Sequence, residues 1–222
     1  MKHLNRQMSE SLTAGVLLAL AGGFMDAYSY LYRDHVFANA QTGNLLLLGV
    51  HLSQGEWSAA VRYLVPVLAF VAGIALADLF RLIRRGTERL HWRQVTVALE
   101  ALVLLGVSFL PQELNLLANS LTSLACGIQV ESFRKIRGTG VATTMCIGNL
   151  RSATQNLCEY ARTRNRAQLR QGGLCFFIIF CFILGAILGD RAVASFAEGA
   201  IRFAAALLAL VFALMFPAPA AD

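Results

Sequence analysis

Charged residues are scarce in this sequence. Asp, Glu, Lys and Arg make up 14% of the 222 residues, whereas ordinary soluble domains contain about 25%. Apolar residues make up 57%, and the mean hydropathy is +0.58. Because so little polar sequence cannot cover the surface of a soluble domain, the composition excludes ordinary soluble proteins and predicts a membrane protein.

Patterns that hold metals or carry catalysis are also absent. None of the five cysteines lies in a Cys-x-x-Cys pair, and all fall in or beside apolar segments, so we interpret them as small packing residues. The sequence has no His-Glu-x-x-His, no Gly-x-Ser-x-Gly and no cluster of Asp and His residues. We therefore expect no metal, no cofactor and no enzymatic activity.

Long apolar runs are what the sequence does contain. Three are long enough to cross about 30 Å of hydrocarbon, and three shorter ones can lengthen by a few flanking residues and tilt. The six runs are 12–32, 63–80, 95–110, 114–133, 172–189 and 203–216. We therefore predict an all-α, polytopic membrane protein with six transmembrane helices.

The sequence also repeats itself weakly. Aligning it with itself pairs Gly22 with Gly127, Asp26 with Glu131, and Gly43-Asn44-Leu45 with Gly148-Asn149-Leu150. Further along, Phe70, Gly73, Leu76 and Asp78 align with Phe182, Gly185, Leu188 and Asp190. Matches in the same order at two places predict two homologous halves, 11–110 and 111–222, within a single membrane domain, 1–222. Each half contains three spanning helices and one short segment.

The distribution of basic residues predicts the topology. With six spans and a cytoplasmic N-terminus, all but four of the nineteen basic residues lie inside, including the arginines of the loop at 81–93, as the positive-inside rule prefers. The four outside are Arg33, Arg62, Arg191 and Arg202. Three spans per half make the halves inverted. We expect a multi-pass protein of the bacterial cytoplasmic (inner) membrane with both termini cytoplasmic, and the net charge of +6 indicates topology, not nucleic-acid binding.

The two short segments form the predicted site. Inverted repeats commonly place solute or ion sites near the midplane, where broken or re-entrant helices expose polar backbone. The predicted solute-binding residues are Asp26, Asn39, Gln41, Thr42, Gly43, Asn44, Thr143, Thr144, Gly148 and Asn149. The alternative is that Thr-Gly-Asn only packs two helices tightly and caps one of them. The sequence leaves open whether these segments are re-entrant or cross the membrane fully.

Two acids lie inside apolar runs. A carboxylate there is costly and is a functional hypothesis by default, so Asp26 and Glu100 are predicted to couple protons. Glu131 lies near the end of its run and close to Arg134 and Lys135, which predicts a surface ion pair.

Several motifs resemble a known family. Gly23-Phe24-Met25-Asp26-Ala27, the run from Val36 to Asn44, and Gly127-Ile128-Gln129 with Ala142-Thr143-Thr144 resemble the YoaK-like bacterial membrane proteins. This resemblance covers nearly the whole chain. It implies an inner-membrane protein of about six spans in a family defined by a domain of unknown function, and it implies no particular site residues.

These observations favour a secondary transporter or channel-like permease for a small polar or anionic solute. In that mechanism Thr42, Asn44, Thr144 and Asn149 bind the solute at the centre while the two halves rock. The alternative is a non-transporting membrane protein that binds lipid or scaffolds a complex through its basic cytoplasmic loops. The expected partners are the lipid bilayer and the solute, without nucleic acid, and the sequence leaves homo-oligomerisation open.

Overall fold

The chain folds into helices joined by short connections. The computed structural model describes residues 9–83 and 91–216, and the chain is 83% helical. The described helices are α1 Leu12–Tyr32, α2 Gln41–Ser53, α3 Trp57–Ile83, α4 Trp92–Val107, α5 Asn115–Ser132, α6 Cys146–Thr163, α7 Arg166–Phe196 and α8 Arg202–Leu214. Short 3₁₀ turns cover Gln112–Leu114 and Ala197–Ile201.

Three stretches of the described chain are long and apolar enough to cross a membrane. They are Leu12–Tyr32, Trp57–Ile83 and Arg166–Leu214, and the last contains both α7 and α8. The prediction of a helical membrane protein is therefore confirmed. Of the other predicted spans, α4 has 16 residues, and α5 is less apolar because buried polar side chains, from Asn115 to Ser132, follow its length.

A two-stranded ribbon departs from the all-helical prediction. Strands β1 (Lys135–Ile136) and β2 (Thr139–Gly140) pair antiparallel through Arg137 and Gly138, whose φ angles of 49° and 78° form a tight two-residue turn. The ribbon packs on the start of α1, where Arg137 N donates to the carbonyl oxygen of Glu10 (2.8 Å). Sequence pattern alone did not indicate strands this short.

Glycines let two helix pairs pack with their backbones in contact. A Cβ on Gly23 would lie 1.9 Å from the carbonyl oxygen of Phe182, so α1 lies directly on α7. A Cβ on Gly127 would lie 2.1 Å from the carbonyl oxygen of Phe70, so α5 lies on α3 in the same manner. Such close approach between helices of a membrane protein requires residues without side chains.

These contacts offer a second register for the predicted repeat. The sequence alignment pairs Gly22 with Gly127, whereas the glycine of α1 that lies against a long neighbouring helix, as Gly127 does, is Gly23. In that register Asp26 aligns with Val130 and not with Glu131. Adjacent glycines in α1 leave both registers open in the sequence.

The described helices share two ends, which we name after the arginines found there. At the Arg33 end, the Arg33 side chain donates to the carbonyl oxygens of Leu110 (2.6 Å) and Pro111 (3.0 Å), in the connection from α4 to α5. At the Arg81 end, Arg81 of α3 pairs with Glu131 of α5 (3.6 Å). Helices α1 and α4 therefore run toward the Arg33 end, and α3 and α5 run away from it.

The last two helices follow the same alternation. The Tyr32 hydroxyl donates to the carboxylate of Glu198 (2.7 Å), which lies between α7 and α8. Near the start of α4, Gln94 donates to the carbonyl oxygen of Met215, just after α8 (3.1 Å). Thus α7 runs toward the Arg33 end and α8 returns. Several basic residues used to predict the topology lie outside the described residues: Lys2, Arg6, Arg84, Arg85 and Arg89.

Candidate functional site

The first short segment folds back into the molecule from the Arg33 end. Asp34 and His35 take up left-handed conformations, with φ of 59° and 56°, and reverse the chain after α1. The chain then reaches the middle of α1, where the side-chain amide of Asn39 donates to the carbonyl oxygen of Gly22 (2.9 Å). Helix α2 leads back to the Arg33 end, where Asp34 and Arg62 line one shallow cavity.

The second short segment folds back from the Arg81 end. After the ribbon the chain reaches Thr143, whose hydroxyl accepts a hydrogen bond from Gln129 of α5 (3.1 Å). Gln129 also donates to the carbonyl oxygen of Leu18 in α1 (3.0 Å). A Cβ on Gly22 would lie 2.9 Å from the carbonyl oxygen of Thr143. The part of the first segment at Asn39 and the part of the second segment at Thr143 therefore both contact α1 at Gly22. We call these parts the first tip and the second tip.

Each segment is held by an asparagine that binds its own loop. The Asn44 side chain accepts from Phe37 N (3.0 Å) and donates to Phe37 O (2.8 Å). The Asn149 side chain accepts from Ala142 N (3.0 Å) and donates to Ala142 O (2.6 Å). Gln41 donates to Ala38 O (2.7 Å) and accepts from Asn44. These amides, predicted to bind solute, are therefore occupied in shaping the two tips.

Asp26 also acts on a tip. Its carboxylate accepts a hydrogen bond from Asn39 N (2.7 Å), immediately before α2. The residue preceding α2, Ala40, offers no side-chain cap, so Asp26 supplies an acceptor from a neighbouring helix. The structure thus brings Asp26 and Asn39 together as predicted, and it gives Asp26 a defined hydrogen-bond partner.

Three buried polar atoms at the tips lack a hydrogen-bond partner within the described residues. They are Asn39 Oδ1, Thr144 Oγ1 and Gln129 Oε1. All three side chains are at most 2% exposed. A buried polar group without a partner costs about 1–3 kcal/mol, which a bound polar molecule offsets by hydrogen bonding. Sequence reasoning missed Gln129, for which the available signal was a large amide within an apolar run.

The remaining predicted residues have other roles. Thr42 is exposed on α2 and does not join the tips. At Gly43 a Cβ would lie 2.8 Å from the ring of Phe37, so the glycine makes room for that ring. At its counterpart Gly148, a Cβ would meet no atom within 4 Å.

The surroundings of these two glycines also differ in how open they are to solvent. Beside the second tip lies an open vestibule of about 440 Å³ at the Arg81 end, lined among others by Glu131, Arg134, Ala142, Met145, Gly148 and Ser152. At the corresponding position of the first segment, the rings of Tyr30 and Phe37 stack with centroids 4.8 Å apart. His35 meets Tyr30 edge-on at 5.1 Å. One tip is therefore approached by a cavity, and the other is covered by aromatic rings.

The predicted acids inside the apolar runs differ in environment. Glu100 is fully buried, and neither carboxylate oxygen has a hydrogen-bond partner in the described part of the chain. Glu131 pairs with Arg134 at 3.2 Å, which confirms the predicted ion pair, and Arg81 joins it. No group of three or more His, Cys, Asp or Glu that could hold a metal occurs within residues 9–83 and 91–216.

Arg33 was predicted as an outer basic residue, but it is completely buried. Besides the two carbonyl groups, its guanidinium donates to the hydroxyl of Tyr28 (2.9 Å) and to Asn115 Oδ1 (3.0 Å). The Tyr32 hydroxyl beside it donates to Glu198 and lowers the pKa of that carboxyl. Apart from Tyr28, the groups that Arg33 binds come from the distant connection between α4 and α5 and the start of α5, so no local pattern indicated its burial.

Comparison with known proteins identifies the family. Residues 14–214 match the family model described as "Protein of unknown function (DUF1275)". The chain is 27% identical over 183 residues to the UPF0700 transmembrane protein YoaK of Bacillus subtilis (strain 168), covering 78% of this chain and 79% of YoaK. No solved structure matches the chain. The chain therefore belongs to the YoaK/DUF1275 family of membrane proteins.

Proposed function

We propose that this protein is a secondary transporter or channel-like permease for a small polar or anionic solute in the bacterial cytoplasmic membrane. The observation that carries this proposal is the meeting of two segment tips at Gly22, one beside an open vestibule and the other under an aromatic stack. Transport of this kind involves no chemical change in the solute.

The packing supports two inverted halves. Helix α1 lies on α7 through Gly23, α5 lies on α3 through Gly127, and α1 and α5 run in opposite directions. Under this proposal α1, α3, α4, α5, α7 and α8 cross the membrane. Helices α2 and α6 belong to re-entrant segments that enter from opposite faces, so that each face is served by one tip.

Access to the tips gives the proposed mechanism. With the Arg81 end placed in the cytoplasm by the positive-inside rule, the vestibule opens the second tip to the cytoplasm. The Tyr30 and Phe37 rings close the first tip to the outside. Rocking of the halves exchanges these two environments, and the solute bound between the tips is exposed to each face in turn.

The chemistry at the tips defines the class of solute. Asn39, Thr144 and Gln129 present a carbonyl oxygen, a hydroxyl and a second carbonyl oxygen that are free to bond, which suits a small polar molecule with hydrogen-bond donors. Asp26 lies beside this site, and Glu100 lies deeper in the helix bundle. In the proposed mechanism, a proton bound within this pair of acids couples to solute movement.

Cysteine accessibility tests the proposal. In a background with Cys146 and Cys158 replaced by Ser, Thr144→Cys places a thiol at the second tip and Ser152→Cys places one in the vestibule. A membrane-impermeant thiol reagent applied to inside-out vesicles is expected to modify both. Phe180→Cys, on the exposed surface of α7, serves as a control that lipid shields.

Modification of the thiol at Thr144→Cys decides whether a water-filled route reaches the tips. If the thiol at Thr144→Cys stays unmodified from both membrane faces, no water-filled route reaches the tips and the transporter proposal is wrong. Uptake into reconstituted vesicles, screened with small polar and anionic solutes, then identifies what the route carries.

A non-transporting lipid-binding or scaffolding protein is the second candidate. It is favoured by exposed arginines on α6 and at the start of α7, which suit anionic headgroups or an acidic partner. These arginines are Arg151, Arg162, Arg164, Arg166 and Arg170. Such a protein requires no water at the tips, so the same thiol measurements separate the two candidates.

A further inference from the structure

Glu100 occupies an unusual environment near the middle of α4. Its side chain is 0% exposed, and both carboxylate oxygens lack a hydrogen-bond partner within the described residues. Helix α4 packs against α5 on one side and α8 on the other. An ionised carboxylate without partners in such a place costs several kcal/mol, so this environment favours the neutral carboxylic acid.

One face of α5 is polar and contacts α1 through Asn119, Cys126 and Gln129. Buried side chains recur at spacings of three and four residues, which places them on one side of the helix. They are Asn119, Thr122, Ser123, Cys126 and Gln129. Asn119 Oδ1 and Ser123 Oγ have no partner in the described chain, so hydrogen-bonding capacity is present on the helix that Glu100 packs against.

Charged groups on the neighbouring elements are engaged elsewhere. On α8, Arg202 donates to the hydroxyl of Ser108 at the Arg33 end (3.1 Å). At the opposite end of the bundle, Glu131 pairs with Arg81 and Arg134. At the start of α4, Arg93 pairs with Glu10 (3.3 Å). These charged groups lie at the ends of the bundle, whereas Glu100 lies near the middle of α4.

Cys126 connects Glu100 to the first tip. Its thiol interacts electrostatically with the carboxyl groups of both Asp26 and Glu100, and it also contacts the side chain of Asn39. Cys126 also contacts α1 directly, with its Sγ 3.7 Å from Met25 Sδ, next to Asp26 in the sequence. Asp26 differs from Glu100 because its carboxylate already accepts a backbone N–H from Asn39.

We propose that Glu100 is a proton-binding site of this protein and that Asp26 is a positioning residue that holds the first tip. The inference deepens the proposed permease and rests on it for the use made of the proton. It divides the two intramembrane acids by role: one gains and loses a proton, and the other orders the backbone on which the solute site is built.

A hydrophobic carbodiimide tests the state of Glu100. The reagent adds to neutral carboxylic acids in apolar surroundings: the acid O–H adds across a C=N bond, and the O-acylisourea rearranges to a stable N-acylurea with no group leaving. Mass spectrometry of the full-length protein in lipid nanodiscs is expected to locate the adduct on Glu100, with the yield falling as the pH is raised. Glu100→Gln removes the adduct, and Glu100→Asp restores it.

Two variants serve as controls. Glu131→Gln removes an ion-paired carboxyl and leaves the adduct on Glu100 unchanged. Asp26→Asn also leaves the pH dependence of that adduct unchanged, but it increases at least severalfold the rate at which a thiol at Ala40→Cys reacts, because the tip is released. Asp26→Glu restores the slower rate.

The possible results separate this inference from the proposed function. Absence of the adduct from Glu100 at every pH, or an adduct on Asp26 instead, overturns the assignment of Glu100. Labelling of Glu100 as described, in a protein whose tips no thiol reagent can reach, keeps the proton site and rejects transport. Infrared spectroscopy of the unmodified protein gives a second readout, a carboxylic acid band that is lost in Glu100→Gln.

Discussion

At the scale of single residues, the asparagines of the two segments matter most. Asn44 and Asn149 each bind both backbone groups of one residue seven positions earlier, so their side chains replace a strand partner for a short extended loop. An Asn follows the Gly in both segments because each tip needs a side chain that both accepts from and donates to the backbone of the loop. Under the proposed function, the solute is bound by the neighbours Asn39, Thr144 and Gln129.

Replacing one of these asparagines is expected to destabilise the protein. Asn149→Ala removes both hydrogen bonds to the half-buried backbone of Ala142, each worth about 0.5–1.5 kcal/mol. Thermal unfolding in detergent should give a clearly lower Tm. The matched control is Asn156→Ala on the same helix, where the side chain donates only to the carbonyl of Ser152 and the change in Tm should be small.

The site was predictable from sequence only in part. The repeated Gly-Asn located both segments, and Asp26 and Asn39, predicted in one site, are joined by a hydrogen bond. The division between Asn44, which shapes the tip, and Asn39, which carries a free oxygen, could not be predicted because it depends on where the loop turns. The burial of Arg33 could not be predicted for a related reason, since three of the four groups it binds lie more than seventy residues away.

At the scale of helices, contacts between glycine and backbone determine the packing. In the α3–α5 and α1–α7 pairs, the main chains touch at Gly127 and Gly23. At each glycine, a carbonyl oxygen of the neighbouring helix occupies the space that a side chain would need. The apolar pattern predicted that these helices exist and roughly where they begin and end. Their partners depend on surface shape, which the pattern does not contain.

Adding one methyl group at such a contact should separate the helices. Gly127→Ala places a Cβ 2.1 Å from the carbonyl oxygen of Phe70, and since that atom belongs to the backbone, α3 must shift. We expect a loss of about 1–3 kcal/mol in stability, as for other overpacked cores. In Gly173→Ala, the new Cβ meets no atom within 4 Å, and helix propensity favours the change slightly. Equal Tm values for the two variants would contradict this packing.

At the scale of the whole molecule, the two tips differ in access although their backbones are built alike. Phe37 of the first segment corresponds to Ala142 of the second, because the backbone of each is bound by the asparagine of its own segment. The stack of Tyr30 on Phe37 is therefore a closed counterpart of the open vestibule. This asymmetry is what alternating access requires of a single conformation.

Removing the covering ring should open the outer route. In Phe37→Ala, a thiol at Thr144→Cys is expected to react with an impermeant reagent added from the outside, at a rate at least tenfold above that of the parent. Tyr30→Phe keeps the stacked ring and should leave the rate near that of the parent. An unchanged rate in Phe37→Ala would show that the stack does not limit access.

The pairing of α1 with α7 and of α3 with α5 also bears on how the protein is made. Helix α1 leaves the ribosome before α7, yet the backbone that fits against Gly23 belongs to Phe182 of α7. Membrane insertion of α1 therefore precedes its packing on α7 by the time needed to synthesise the residues between them. A nascent chain that stops before α7 leaves the surface around Gly23 without the helix that covers it.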